Sequence, residues 1–173
     1  MNGKYVKKFK KTMVVAAAAV MLSAGFATVA PKEASAHWAD NAITWVFGKG
    51  YAQSDYRYKP AIRQDVWVML ARYKGYWVKS PQEASQTLVR LGVTDGTRPY
   101  AQITRNEMVG MLYQNLFHSP AWDSRGGFSN AIAWGESNGI FDGTRGNEIA
   151  TRGEVFVMLY NYAKKYNYDK LRV

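Results

Sequence analysis

Residues 103–112 read ITRNEMVGML, and residues 150–159 read ATRGEVFVML. A third copy, AIRQDVWVML, occupies residues 61–70. The common phrase is Thr-Arg-x-Glu followed by an apolar run. Thr104 with Glu107, and Thr151 with Glu154, have the spacing of a capping box, in which each side chain bonds the other residue's backbone N–H. Each box is worth about 1 kcal/mol. The first copy has Ile62 and Asp65 in those places and has lost the box. After the cap, Val66, Met69, Leu70 and Tyr73 recur at i, i+3, i+4 and i+7, one buried stripe. Met108, Met111 and Leu112 repeat it, as do Val155, Met158, Leu159 and Tyr162. Methionine in such a stripe is core filler.

The register extends outward without a gap. Gly50, Gly92 and Gly139 each precede the motif arginine (Arg63, Arg105, Arg152) by 13 residues. Ala42, Ala84 and Ala131 lie eight before each glycine, and Trp45, Thr87 and Trp134 lie five before. A first helix is expected over about 40–49, 82–91 and 129–138, ending at the glycine, which tolerates the left-handed conformation of a helix C-terminus. A turn follows, with Asp95-Gly96 and Asp142-Gly143 as turn signals and Gln53-Ser54 in the first copy. The expected fold is all-α: three helix-loop-helix repeats over 37–76, 77–117 and 118–166, then a short tail at 167–173. One helix pair cannot bury its own apolar face, so the three must share a core. The economical arrangement gathers the three TRxE helices about a pseudo-threefold axis, giving a three-pronged bundle with connectors 75–81 and 117–128 outside.

The N-terminus is of another kind. MNGKYVKKFKK carries five lysines and no acid, and an apolar, small-residue stretch ending at Ala34, Ser35 and Ala36 follows it. These are the three parts of a secretory signal peptide, with cleavage expected after Ala36. The alternative is an uncleaved anchor, since residues 13–30 are just long enough to span a bilayer; Ser23, Gly25 and Thr28 weaken it. Removing residues 1–36 takes six lysines and Glu33 and lowers the formal charge from +10 to +5. The remaining cations are scattered among acids, against the concentrated stripe that nucleic acid requires. With no cysteine, an exported chain relies on its core alone and is not a diacylglyceryl lipoprotein.

The cap does not explain the arginine inside it. A cation at the first helical position meets the positive end of the helix dipole, yet Arg63, Arg105 and Arg152 hold it in all three copies. Two readings stand: each arginine pairs with a nearby acid or simply lies on the surface, or guanidinium and helix N-terminus together form an anion site for carboxylate or phosphate.

HWADNAITWVFGKGY before AIRQD, TLVRLGVTDGT before ITRNE, and FSNAIAWGESNGIFDGT before ATRGE resemble the S-layer homology (SLH) repeat. The resemblance covers residues 37 to about 166 as three repeats in fixed register. It implies a pseudo-trimeric helical domain that holds exported proteins non-covalently on the bacterial cell wall. The implied ligand is a secondary cell-wall polysaccharide, often capped by a pyruvate ketal, whose carboxylate meets the motif arginine in grooves between adjacent repeats. That role falls on Arg105 and Arg152, whose surroundings keep the pattern, and on Arg63, where Ile62 and Asp65 depart from it. Trp45 and Trp134 match the family's helix tryptophan; Asp95, Gly96, Asp142 and Gly143 match its turn. The departures imply that the three grooves are not equivalent. Helix-stripe periodicity gives Trp45 and Trp134 a competing place in the core.

A ketal carboxylate is a fixed planar anion suited to a bidentate guanidinium, worth about 1.5–3 kcal/mol per contact. Several grooves on one polymer add avidity on the order of 10²–10⁴. The first rival is a wall glycan hydrolase, which needs two carboxylates about 5–10 Å apart in a cleft. Glu107, Glu154, Asp95 and Asp142 all have caps or turns to serve, and His37 and His118 lie in no metal or nucleophile motif. No enzyme, metal or cofactor is therefore expected. The second rival is a domain of the same fold that assembles with itself or holds another envelope protein. The family's triplets usually carry a cargo domain, whereas this sequence stops at KKYNYDKLRV.

Overall fold

The computed structural model of the protein describes residues 37–166. The expected signal peptide, its cleavage point and the C-terminal tail lie outside the described residues. The described part is all-helical: α1 Asp40–Gly48, α2 Arg63–Tyr73, α3 Pro81–Arg90, α4 Arg105–Phe117, α5 Ser129–Ser137 and α6 Arg152–Tyr166. No helix among the described residues is long and apolar enough to cross a membrane.

Helix starts follow local chemistry. α2, α4 and α6 all open at the motif arginine. Thr104 Oγ1 accepts from Glu107 N–H at 3.1 Å, and Glu107 Oε2 accepts from Thr104 N–H at 2.9 Å. Thr151 and Glu154 make the same reciprocal pair at 3.3 and 2.8 Å. Ile62, before α2, has no capping side chain. α3 starts from Ser80, which caps Glu83 N–H, with Pro81 at the first helical position.

The ends of α1, α3 and α5 share one device. Gly50, Gly92 and Gly139 have φ of +69°, +69° and +66°. The next residue's N–H closes back on the helix: Tyr51 to Val46 O, Val93 to Leu88 O, and Ile140 to Gly135 O, each at 2.9 Å. This is the left-handed glycine ending with its hydrophobic follower, and Tyr51, Val93 and Ile140 are accordingly buried.

The stripes of α2, α4 and α6 form the core, with Leu70, Leu112 and Leu159 almost wholly enclosed. α1 packs on α6, α3 on α2, α5 on α4, and α4 on α6. Above the core the strand-like lead-ins to the motif helices bond in a closed cycle: Ala61 N–H to Ala150 O, Ala150 N–H to Ile103 O, and Ile103 N–H to Ala61 O, at 2.9, 2.9 and 3.0 Å. Ala61, Ile103 and Ala150 are all buried there, so each satisfies backbone groups that would otherwise be stranded. At depth, Lys74 Nζ donates to Asn115 Oδ1 at 2.6 Å and Asn115 Nδ2 to Tyr162 Oη at 2.7 Å.

Candidate ligand grooves

Each motif helix docks its first turn on the next turn segment. The N–H groups of Arg63, Arg105 and Arg152 donate to Ala101 O, Glu148 O and Lys59 O at 2.9, 3.1 and 2.9 Å. That docking carries the arginine side chain across the boundary between units, where it meets acids far off in sequence. Arg63 donates from Nε to Thr97 O, from Nη1 to Glu107 Oε1 at 3.0 Å, and from Nη2 to Asp95 Oδ1 at 3.1 Å. Arg105 repeats the pattern with Thr144 O, Glu154 Oε1, and Asp142 Oδ1 at 2.6 Å. Both guanidiniums are buried. The adverse helix dipole is thus answered by two carboxylates apiece.

Arg152 differs. Its Nη1 meets one acid, Asp65 Oδ2, at 3.2 Å, and its Nη2 meets Ser54 O at 2.9 Å and Ser54 Oγ at 3.4 Å. Gln53-Ser54 stands where the other units have Asp-Gly. The Arg152 side chain is 15% exposed, against 7% for Arg63 and 5% for Arg105.

Three clefts result, each joining a motif arginine to the following turn and helix. One holds Arg63 with Asp95, Arg98, Glu107 and Gln114, walled by Trp122 and Phe128, and measures about 430 Å³. One holds Arg105 with Asp142, Arg145, Glu154 and Asn161, walled by Trp38 and Tyr58, and measures about 600 Å³. The third holds Arg152 with Ser54, Asp65 and Arg72, walled by Met69 and Phe156, and measures about 230 Å³.

Arg63, Arg105, Arg152, Asp95 and Asp142 are therefore brought into clefts. Gly96 and Gly143 adopt φ of +71° and +72°, which lets Asp95 and Asp142 accept the N–H groups of Thr97 and Thr144 at 3.0 Å. Trp45 and Trp134 sit elsewhere. Trp45 packs edge-on to Tyr51 and Tyr73, and Trp134 donates to Tyr166 Oη at 3.0 Å within a cluster with Tyr113, Phe117 and Tyr162. Neither lines any of the three clefts.

Sequence reasoning passed over Arg98 and Arg145, the last letter of a repeated DGTR turn, and that repetition was the available signal. Both adopt positive φ, are mostly exposed, and reach back to the capping glutamates, Arg98 to Glu107 at 3.3 Å and Arg145 to Glu154 at 2.6 Å. Trp38 and Trp122, 54% and 57% exposed, were also passed over. Tyr58, which lines the Arg105 cleft, has its hydroxyl 2.7 Å from His37 Nε2.

Burial works against ionising Glu154. The Thr151 N–H, Arg145 and Arg105 outweigh it and hold the carboxyl below its ordinary value. Asp142, opposed likewise by burial, is lowered by the Thr144 N–H and Arg105, and Asp95 by Thr97 with Arg63 and Arg98. Each acid is stronger folded than unfolded, so the unfolded chain takes up protons first as pH falls. Thermal midpoints are expected to stay level from about pH 7 to pH 5 and to drop below about pH 4. Glu154→Gln should flatten that acid limb, and an unchanged limb would show that these pairs contribute nothing.

No group of three or more His, Cys, Asp or Glu side chains suited to a metal ion occurs among the described residues. Comparison with protein-family models, curated proteins and solved structures found no match to this chain.

Proposed function

We propose that the chain is a non-covalent cell-wall binding module of the S-layer homology type. In this reading three helix-loop-helix repeats form a pseudo-threefold, three-pronged bundle. Its inter-repeat clefts take an anionic secondary cell-wall polysaccharide, and the motif arginines supply the charge that reads a sugar-borne carboxylate such as a pyruvate ketal.

The observation that carries this reading is the cyclic placement of the motif guanidiniums. Each crosses from its own repeat into a cleft built by the next, with the third returning to the first. The closed cycle of backbone bonds at Ala61, Ala150 and Ile103 supports the same threefold reading. Trp38, Tyr58 and Trp122 at the cleft walls offer apolar faces for sugar rings.

The test is co-sedimentation of residues 37–173, which contain the whole described core, with purified sacculi and with sacculi stripped of their secondary polymer. Pelleting is expected on native walls alone, and Arg152→Gln should reduce it without unfolding the domain. Equal pelleting on both preparations, or on neither, would remove the wall polymer as ligand and direct attention to an envelope protein partner.

A further inference from the structure

The first repeat departs from the other two at positions that face one another in one cleft. Gln53 replaces Asp95 and Asp142, and Arg72 replaces the neutral Gln114 and Asn161. Gln114 and Arg72 keep the same contact, each donating to the carbonyl of its helix-ending glycine: Gln114 Nε2 to Gly92 O at 2.9 Å, and Arg72 Nη1 to Gly50 O at 3.3 Å. The exchange therefore retains the geometry and alters the charge.

The charge balance separates the clefts. Arg63 and Arg98 face Asp95 and Glu107; Arg105 and Arg145 face Asp142 and Glu154. Two cations meet two acids in each. The third cleft sets Arg152 and Arg72 against Asp65 alone. Asp55, the next acid along the chain, is turned away onto Arg57, at 2.6 Å. Arg72 makes no ion pair with a described acid, and its Nε is buried without a hydrogen-bond partner.

Anion affinity depends on uncompensated charge and unfilled donors, because a guanidinium already clasped by an internal carboxylate must lose one partner to gain another. In the Arg105 cleft, Asp142 Oδ1 occupies Nη2 at 2.6 Å, the place an incoming carboxylate would need. In the Arg152 cleft that place is held by a serine carbonyl and hydroxyl. Phe156 lies 5.5 Å beneath Arg152, and such apolar walls strengthen the field of a cation. At about 230 Å³ the cleft is smaller than the ~300–1,000 Å³ typical of drug-sized ligands, so it suits one sugar unit with its acid substituent.

We infer that the cleft of the divergent first repeat, formed by Arg152 and Arg72, is the subsite that takes a sugar-borne carboxylate, while the other two clefts are self-neutralised. The inference rests on the wall-binding reading and names where in it the anion is read. The loss of the Asp-Gly carboxylate in the first repeat, together with the gain of Arg72, is then the change that opens the site, since Asp65 still accepts from Arg152 where Glu107 and Glu154 accept from Arg63 and Arg105.

The experiment is calorimetric titration of residues 37–173 with methyl 4,6-O-(1-carboxyethylidene)-glucopyranoside, beside its neutral methyl ester. One-site binding to the acid and none to the ester is expected. Gln53→Asp restores the internal carboxylate and should weaken binding about tenfold or more, with a thermal midpoint equal to or above that of the parent. Arg72→Gln should weaken it comparably, whereas Arg90→Gln, on the outer face of α3, should leave it within about twofold. No binding by the parent, or unchanged binding by Gln53→Asp, would overturn the assignment. A chain that binds this probe but does not pellet on sacculi keeps the site and loses the wall reading. A chain that pellets but ignores the probe does the reverse.

Discussion

Arg105→Ala is expected to lower stability by about 3 kcal/mol and the thermal midpoint by about 10 °C. The Arg105 guanidinium is 5% exposed, bonds Thr144 O, Glu154 and Asp142, and lies 5.2 Å over the Phe141 ring. Removing it leaves a poorly hydrated glutamate and a carbonyl without their donor. Breaking a buried pair from one side costs about 3–5 kcal/mol. The lower end applies because Arg145 retains Glu154 and because Asp142 is 59% exposed. Arg152→Ala should cost nearer 1 kcal/mol, since it leaves one exposed acid, Asp65, and the turn carbonyls of Ser54 and Asp55, none of them fully buried. Chemical denaturation of both variants checks the contrast. Equal losses would mean that the Asp-Gly carboxylates add nothing, and the charge argument for the Arg152 cleft would fall with them. A pelleting defect in Arg105→Ala must accordingly be measured well below its melting point before it speaks to ligand.

Trp67→Ala should be comparably severe, about 3–5 kcal/mol, with the cavity it opens as the main cause. Trp67 is 1% exposed on the side of α2 where α3 packs, with the Arg63 guanidinium 5.8 Å above its ring. Its loss should loosen the first motif helix and the floor under Arg63 together. Trp67→Phe is expected to cost about 1 kcal/mol. The indole Nε1 is buried without a partner, so deleting that N–H relieves a desolvation cost as it removes volume. Thermal melts of the two variants distinguish these outcomes. A phenylalanine variant as damaged as the alanine one would show that the N–H is satisfied after all.

What could be read from the chain was local. Thr104 and Glu107 are three residues apart, and the bonds that start α4 close within that span. Gly50, Gly92 and Gly139 end α1, α3 and α5 through contacts within the last helical turn. The stripe from Val66 to Tyr73 needs the helical period alone to announce a buried face. Periodicity did not say which buried neighbour a residue meets, so Trp45 and Trp134 could be placed either among sugars or among aromatic side chains. The structure puts both in aromatic clusters and sets Trp38 and Trp122 at cleft walls.

The sequence by itself determined that six helices form between residues 37 and 166, where the motif helices begin, and which faces they bury. These depend on bonds and side-chain spacings within a turn or two of helix. Tertiary structure alone decided what the motif arginines do. Arg63 finds Asp95 and Glu107 from 32 and 44 positions away, and Arg152 finds Ser54 from 98. Those partners come within reach once the lead-in segments close their cycle of backbone bonds and dock each helix start on the next turn. A guanidinium's role is set by the acids that surround it in space, and no spacing along the chain encodes that.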